Sequence, residues 1–169
     1  MNASIQLRNL TLGDFRTYLF AGIFVIGNIL FPQLAHLIPN GGLIFLPIYF
    51  FTLIAAYKYG LMAGLLTAVL SPVLNYAFFG MPPASVLPAI LIKSVFLAIA
   101  AFAAAKYFKN ISILALVIVV LAYQLLGSVV EWAIVKDINL AVQDLKLGLP
   151  GIFLQIFGGY IVLKALAKY

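Results

Sequence analysis

Lys93 is the residue in this chain whose position most needs a chemical reason. It lies in the apolar run AILIKSVFL, far from the nearest polar break. At 1.5 Å per helical residue, about nine residues from that break correspond to about 14 Å, close to the midplane of a bilayer. An ammonium there costs at least about 2.5–3.5 kcal/mol, and snorkelling recovers only part of that, so it needs a partner or a wet cavity. Glu131, in SVVEWAIVKD, is the candidate counter-ion if the two helices face each other. Two readings follow. The pair fixes packing, or one or both groups bind a polar ligand entering from that end. Other polar residues fall at similar depth: Asn75 beside Tyr76, Gln155, and Gln33 with His36. Gln124, Ser128 and Trp132 follow one another at i, i+4 and i+8, on roughly one helical face. Taken singly, each is read first as an interhelical hydrogen bond, and Trp132 equally as an interfacial anchor. Their shared depth points to a common cavity.

Several chemistries are excluded or poorly supplied. There are no cysteines, one histidine and four acidic residues, so thiolate chemistry is absent and acid–base catalysis has few candidates. His36 has no carboxylate or second histidine at ligand spacing, which argues against a metal. Lys93 and Ser94 are neighbours about 100° apart on a helix and form no dyad. The chain contains no HExxH, GxSxG or phosphate-binding glycine loop. The reading is of a protein that is not an enzyme and has no cofactor of its own.

The elements that must position these residues are membrane helices. The 169 residues are 66% hydrophobic and 8% charged, with a mean hydropathy of +1.19. A soluble domain carries roughly 25% charged residues, so the chain reads as one all-α transmembrane domain. Six spans are expected, over 17–38, 43–57, 61–79, 84–107, 111–135 and 149–167, with residues 1–16 as a cytosolic lead-in rather than a signal peptide. The breaks are Pro39-Asn40-Gly41-Gly42, Lys58-Tyr59-Gly60, Gly80-Met81-Pro82-Pro83, Lys109-Asn110, and the polar stretch from Lys136 to Lys146. The second span is barely long enough to cross and has Pro47 in its first turns. The Ala-rich run from Ala98 to Ala105 should let a neighbouring helix approach closely.

Net charge is +6. In a membrane protein that excess is better explained by topology than by nucleic acid, which is not expected as a partner. With a cytoplasmic N-terminus, Arg8, Arg16, Lys58, Lys106, Lys109, Lys164 and Lys168 fall inside, and only Lys136 and Lys146 fall outside. Both termini are therefore expected in the cytoplasm. Glu131, Asp137 and Asp144 then lie at the outer end of the fifth span and in the loop after it, which reads as a lid or recognition loop.

Two segments together resemble a known family. The run GGLIFLPIYFFTLIAAYKYGLMAGLLTAVLSPVLNYAFFG resembles the second and third helices of substrate-binding S components of energy-coupling factor transporters. The closing LPGIFLQIFGGYIVLKAL resembles their last helix, with Pro150-Gly151, Gln155 and Gly158-Gly159 in place. The resemblance implies a binding subunit in a prokaryotic plasma membrane that captures a small water-soluble, vitamin-like solute at its outer face. A transmembrane coupling subunit and two ATPase subunits would supply the energy. It implies a pocket formed by Lys93, Gln124, Ser128, Glu131, Trp132 and Gln155, with Asn40, Gly41 and the segment from Gly80 to Pro83 as lids. The chain departs from the family in helix one, where FAGIFVIGN stands in place of an Ala-xxx-Ala docking pattern. Two other readings are a secondary transporter working without ATPases and a small membrane enzyme acting on a lipid or isoprenoid.

Overall fold

The computed structural model describes residues 9–167. Arg8, Lys168 and the first half of the expected N-terminal lead-in lie outside the described residues. Among the described residues the regular structure is helical throughout. Five helices are long and apolar enough to cross a membrane: α1 (Phe15–Ala35), α4 (Leu61–Phe79), α5 (Leu87–Phe108), α6 (Ile113–Val135) and the closing helix Leu149–Leu166.

The expected second span, 43–57, is not one continuous helix. It is broken into α2 (Gly41–Phe45), a 3₁₀ turn (Pro47–Tyr49) and α3 (Phe50–Tyr59). Pro47 lacks the N–H that would continue α2, and Leu46 before it adopts a left-handed conformation with φ 46° and ψ 45°. At ten residues, α3 is about 15 Å long and is too short to span the hydrocarbon unaided. It is nevertheless the most enclosed helix in the molecule, with every residue but Phe51 buried, including Thr52 and Lys58. The turn expected at Lys58-Tyr59 begins only at Gly60, whose φ of 101° suits glycine.

Close approach, rather than apolar burial alone, holds helices together where the surroundings are themselves apolar. On α5, Ala98, Ala101, Ala104 and Ala105 are buried along one stripe. A Cβ on Gly64 of α4 would lie 2.5 Å from the Ala56 Cβ of α3, so that crossing requires glycine. The closing helix runs through α9 (Leu149–Phe153), a wider π turn (Leu154–Gly158) and α10 (Gly159–Leu166). Its Gly158 and Gly159 press against Phe50 and Leu53 of α3.

Between α6 and the closing helix lie two short helices, α7 (Ile138–Ala141) and α8 (Gln143–Leu147). Asp137 caps α7 by accepting a bond from the Asn139 N–H at 2.8 Å, and Lys146 Nζ donates to Asn139 Oδ1 at 3.2 Å. The polar stretch expected as a loop is thus a folded hairpin lying against the bundle end.

Candidate binding site

Lys93 points from the middle of α5 toward that end, and its residue is only 2% exposed. Its Nζ lies 2.6 Å from Glu131 Oε2 on α6 and 2.7 Å from Asp144 Oδ2 on α8. It donates a hydrogen bond to Asp144, whereas Glu131 meets it as an ion pair without hydrogen-bond alignment. Gly127 makes this arrangement possible. It precedes Glu131 by one helical turn, and a Cβ there would lie 2.4 Å from Lys93 Cγ. The bare backbone lets the lysine stem lie flat along α6. One ammonium is therefore shared by two carboxylates, and a buried ion needs both the charge and the geometry to offset its lost hydration.

A second polar chain runs behind this triad. Tyr123 donates to Gln155 Oε1 at 2.8 Å and accepts from Gln124 Nε2 at 3.1 Å. The Tyr123 ring packs against Tyr49 with centroids 5.3 Å apart. Gln155 sits in the π turn, where the widened backbone accommodates it. Gln124 and Gln155 are fully enclosed, and each retains one buried atom, Gln124 Oε1 and Gln155 Nε2, without a partner. Ser128 is buried with its Oγ also unpartnered. Trp132, expected on the same face, is 50% exposed on the outside of the bundle. Successive steps of i+4 drift around a helix by about 40° each, enough to carry the third residue out of the interface.

A cavity lies beside the triad and not around it. It has a volume of about 450 Å³ and lies among the end of α1, α2 with its 3₁₀ turn, the end of α4, the loop from Met81 to Val86, and α8. Of the residues expected at the site, Asn75 and Asn40 line it. Lys93, Glu131, Gln124, Ser128, Gln155 and Trp132 do not. Asp144 connects the two places, because it bonds Lys93 and also forms part of the cavity wall. Most of the wall is apolar (Leu43, Leu46, Pro47, Ile48, Met81, Pro82, Val86 and Ile90), with Gln33, His36, Tyr49 and Gln143 as further polar members.

Among the wall residues, Asn75 donates from Nδ2 to Asn28 O and to Ser71 O, both at 2.9 Å. Reversing the amide would set its oxygen against two carbonyl oxygens, so the orientation is determined by its partners. The atom left without a partner, Oδ1, is therefore an acceptor. Tyr49 Oη and Gln33 Nε2 in the same wall are likewise buried and unpartnered.

Reasoning from the sequence missed Asp144 as a ligand of Lys93, Gly127 as the gap for its stem, and Tyr49 and Tyr123 as the aromatic floor. One signal was available. Gly127 stands four residues before Glu131 and therefore shares its helical face. No family model, curated protein or solved structure compared with this chain matches it.

Proposed function

We propose that the chain is the solute-binding membrane subunit of an energy-coupling factor type transporter. It would capture a vitamin-like molecule in the 450 Å³ cavity and work in a prokaryotic plasma membrane with a transmembrane coupling subunit and two ATPases. The observation that carries this reading is the cavity itself. Its size falls in the range of small-molecule sites, and its wall is mainly apolar with a few polar residues, among them Asn40, Gln33, His36, Gln143 and Asp144. Of the residues that the family resemblance assigns to the lids, Asn40, Met81, Pro82 and Pro83 line the cavity.

In this reading α3, with α2 and the 3₁₀ turn before it, completes a sixth passage, which leaves both termini on the cytoplasmic side. Two contacts favour it. Leu10 N–H donates to Tyr59 O at 3.2 Å, and Tyr57 Oη donates to Asn110 O at 2.9 Å. The start of the chain, the end of α3 and the α5–α6 turn therefore share one end of the bundle, opposite the cavity. Arg16, Lys106 and Lys109 belong to that same end, as the positive-inside rule requires of a cytoplasmic face. The protein would perform no covalent chemistry. Binding orders the mouth segments around the solute, and ATP chemistry belongs to the partners.

The test is mass spectrometry of protein purified in mild detergent, with and without denaturation to release bound solute. One small water-soluble compound at near-equimolar amount is expected. If none is carried through, and no compound from a water-soluble vitamin set raises the unfolding temperature, the reading fails. Trp132 fluorescence is a poor reporter, because the indole lies outside the cavity wall.

A further inference from the structure

The charge of the cavity wall, rather than its shape, narrows the kind of solute it accepts. Lys93 does not line the cavity and is already engaged by two carboxylates. Among the described lining residues no lysine or arginine occurs, and Asp144 is the residue with a formal negative charge. One ammonium faces two carboxylates, so the triad carries one residual formal negative charge, and Asp144 is its member that reaches the cavity wall. Asp144 uses Oδ2 for Lys93, and no hydrogen bond to its Oδ1 occurs among the described residues. Asn75 Oδ1, held as an acceptor by two bonds on its amide nitrogen, is enclosed behind the wall rather than open to the cavity. The charged acceptor in the wall is the Asp144 carboxylate, and with no lysine or arginine among the described lining residues it calls for a donor-bearing, positively charged group on the ligand.

We propose that the cavity takes a compact molecule with an apolar or aromatic body and one protonated amine, anchored on the Asp144 carboxylate. This rests on the solute-binding reading above and deepens it. The apolar body lies against Leu43, Pro47, Ile48 and Ile90, and the amine takes the position beside Asp144. An anionic solute of the same size meets a wall without a free cation and is disfavoured. The other titratable side chains in the wall are His36, at the α1 end of the mouth, and Tyr49, at the end of the 3₁₀ turn, whereas Asp144 comes from α8.

The experiment uses the full chain in nanodiscs, stripped of carried solute by mild denaturation and refolding or by exhaustive dialysis. Tryptamine, tryptophol and indole-3-acetate are offered at equal concentration, and retained compound is quantified by mass spectrometry. They share one aromatic body and differ in charge: positive, neutral and negative. Any solute carried through purification is identified in the same run. Retention of tryptamine at least tenfold above the other two is expected, as is a cationic carried solute. Asp144→Asn should abolish the preference and Asp144→Glu should keep most of it, with unfolding temperatures confirming that both variants are folded. Preferred retention of indole-3-acetate or tryptophol, an anionic carried solute, or an unchanged preference in Asp144→Asn overturns the amine assignment and leaves the solute-binding reading standing. Retention of none of the probes together with the absence of any carried solute overturns both.

Discussion

Two polar regions of this bundle use the same kinds of residue to different ends. The first surrounds Asn28 in the middle of α1. Its Nδ2 donates to Thr52 Oγ1 and Ser71 Oγ, both at 3.1 Å, and its Oδ1 accepts from the Phe51 N–H at 3.2 Å. Every polar atom of that side chain is used, and one of its bonds satisfies an N–H that the first turn of α3 cannot pair internally. The second region is the cavity wall, where Asn75, Tyr49 and Gln33 each retain a buried atom without a partner. Asn75 belongs to both, with its amide nitrogen in the Asn28 network and its oxygen enclosed without a partner behind the wall. The difference teaches that a closed network accounts for itself by positioning helices, whereas a buried atom without a partner carries a cost that helix positioning does not explain.

The largest effect expected from breaking this contrast comes from Lys93→Met. It leaves Glu131 and Asp144 facing one another without their cation and should cost about 3–5 kcal/mol, read by denaturant titration in micelles. Combining it with Glu131→Gln and Asp144→Asn should recover part of that loss. If it does not, packing of the lysine stem against Gly127 carries the stability rather than charge. Next comes Asn28→Leu, which removes three bonds and leaves the Phe51 N–H unmet, for about 2 kcal/mol. Solute retention per folded molecule should stay unchanged. If retention falls tenfold, the two regions are not separable.

Tyr49→Phe sharpens the comparison because its two effects have opposite signs. Removing an unpartnered buried hydroxyl should stabilise the solute-free protein by up to about 1 kcal/mol, seen as a higher unfolding temperature. The same change should weaken solute retention several-fold, measured by equilibrium dialysis. A loss of stability would show that the hydroxyl has a protein partner. The smallest effect is expected from Trp132→Phe. The indole is half exposed on the outer surface, so stability should move by no more than about 0.5 kcal/mol and retention not at all.

Much of the architecture was legible because membrane crossing is a local property. The third expected span, 61–79, coincides with α4, and the fourth to sixth differ from α5, α6 and the closing helix by at most three residues at each end. Glycine and proline breaks between apolar runs carry that information within the chain itself. The second span was the exception. Hydropathy sums over the Pro47 break without registering that Leu46 turns left-handed and that the helix restarts at Phe50.

The site was less legible, and the residues involved show why. Lys93 and Glu131 were singled out by the cost of burying charge, and they lie 2.6 Å apart. Asp144 lies 51 residues beyond Lys93 and reaches it only because α7 and α8 fold back over the bundle end. Gln124, Ser128 and Trp132 look equivalent by spacing, yet one is enclosed, one is buried at an interface and one faces outward. Depth in the membrane follows from distance along the chain, at a set rise per residue. Facing depends on how each helix is rotated against its neighbours, which small residues such as Gly64, Gly127 and Ala101 settle only once the helices meet.

The sequence by itself thus determined an all-helical membrane protein with three of its four acidic residues at one end and a lysine that had to be paired. Tertiary structure alone decided that two carboxylates share that lysine, that the cavity opens beside the triad, and that the Asn75 amide is oriented by the Asn28 network. The physical reason is the range of the interactions. Burial cost and helix breaking act within one segment, whereas ion pairing, close packing and the orientation of an amide require groups brought together from four or five of them.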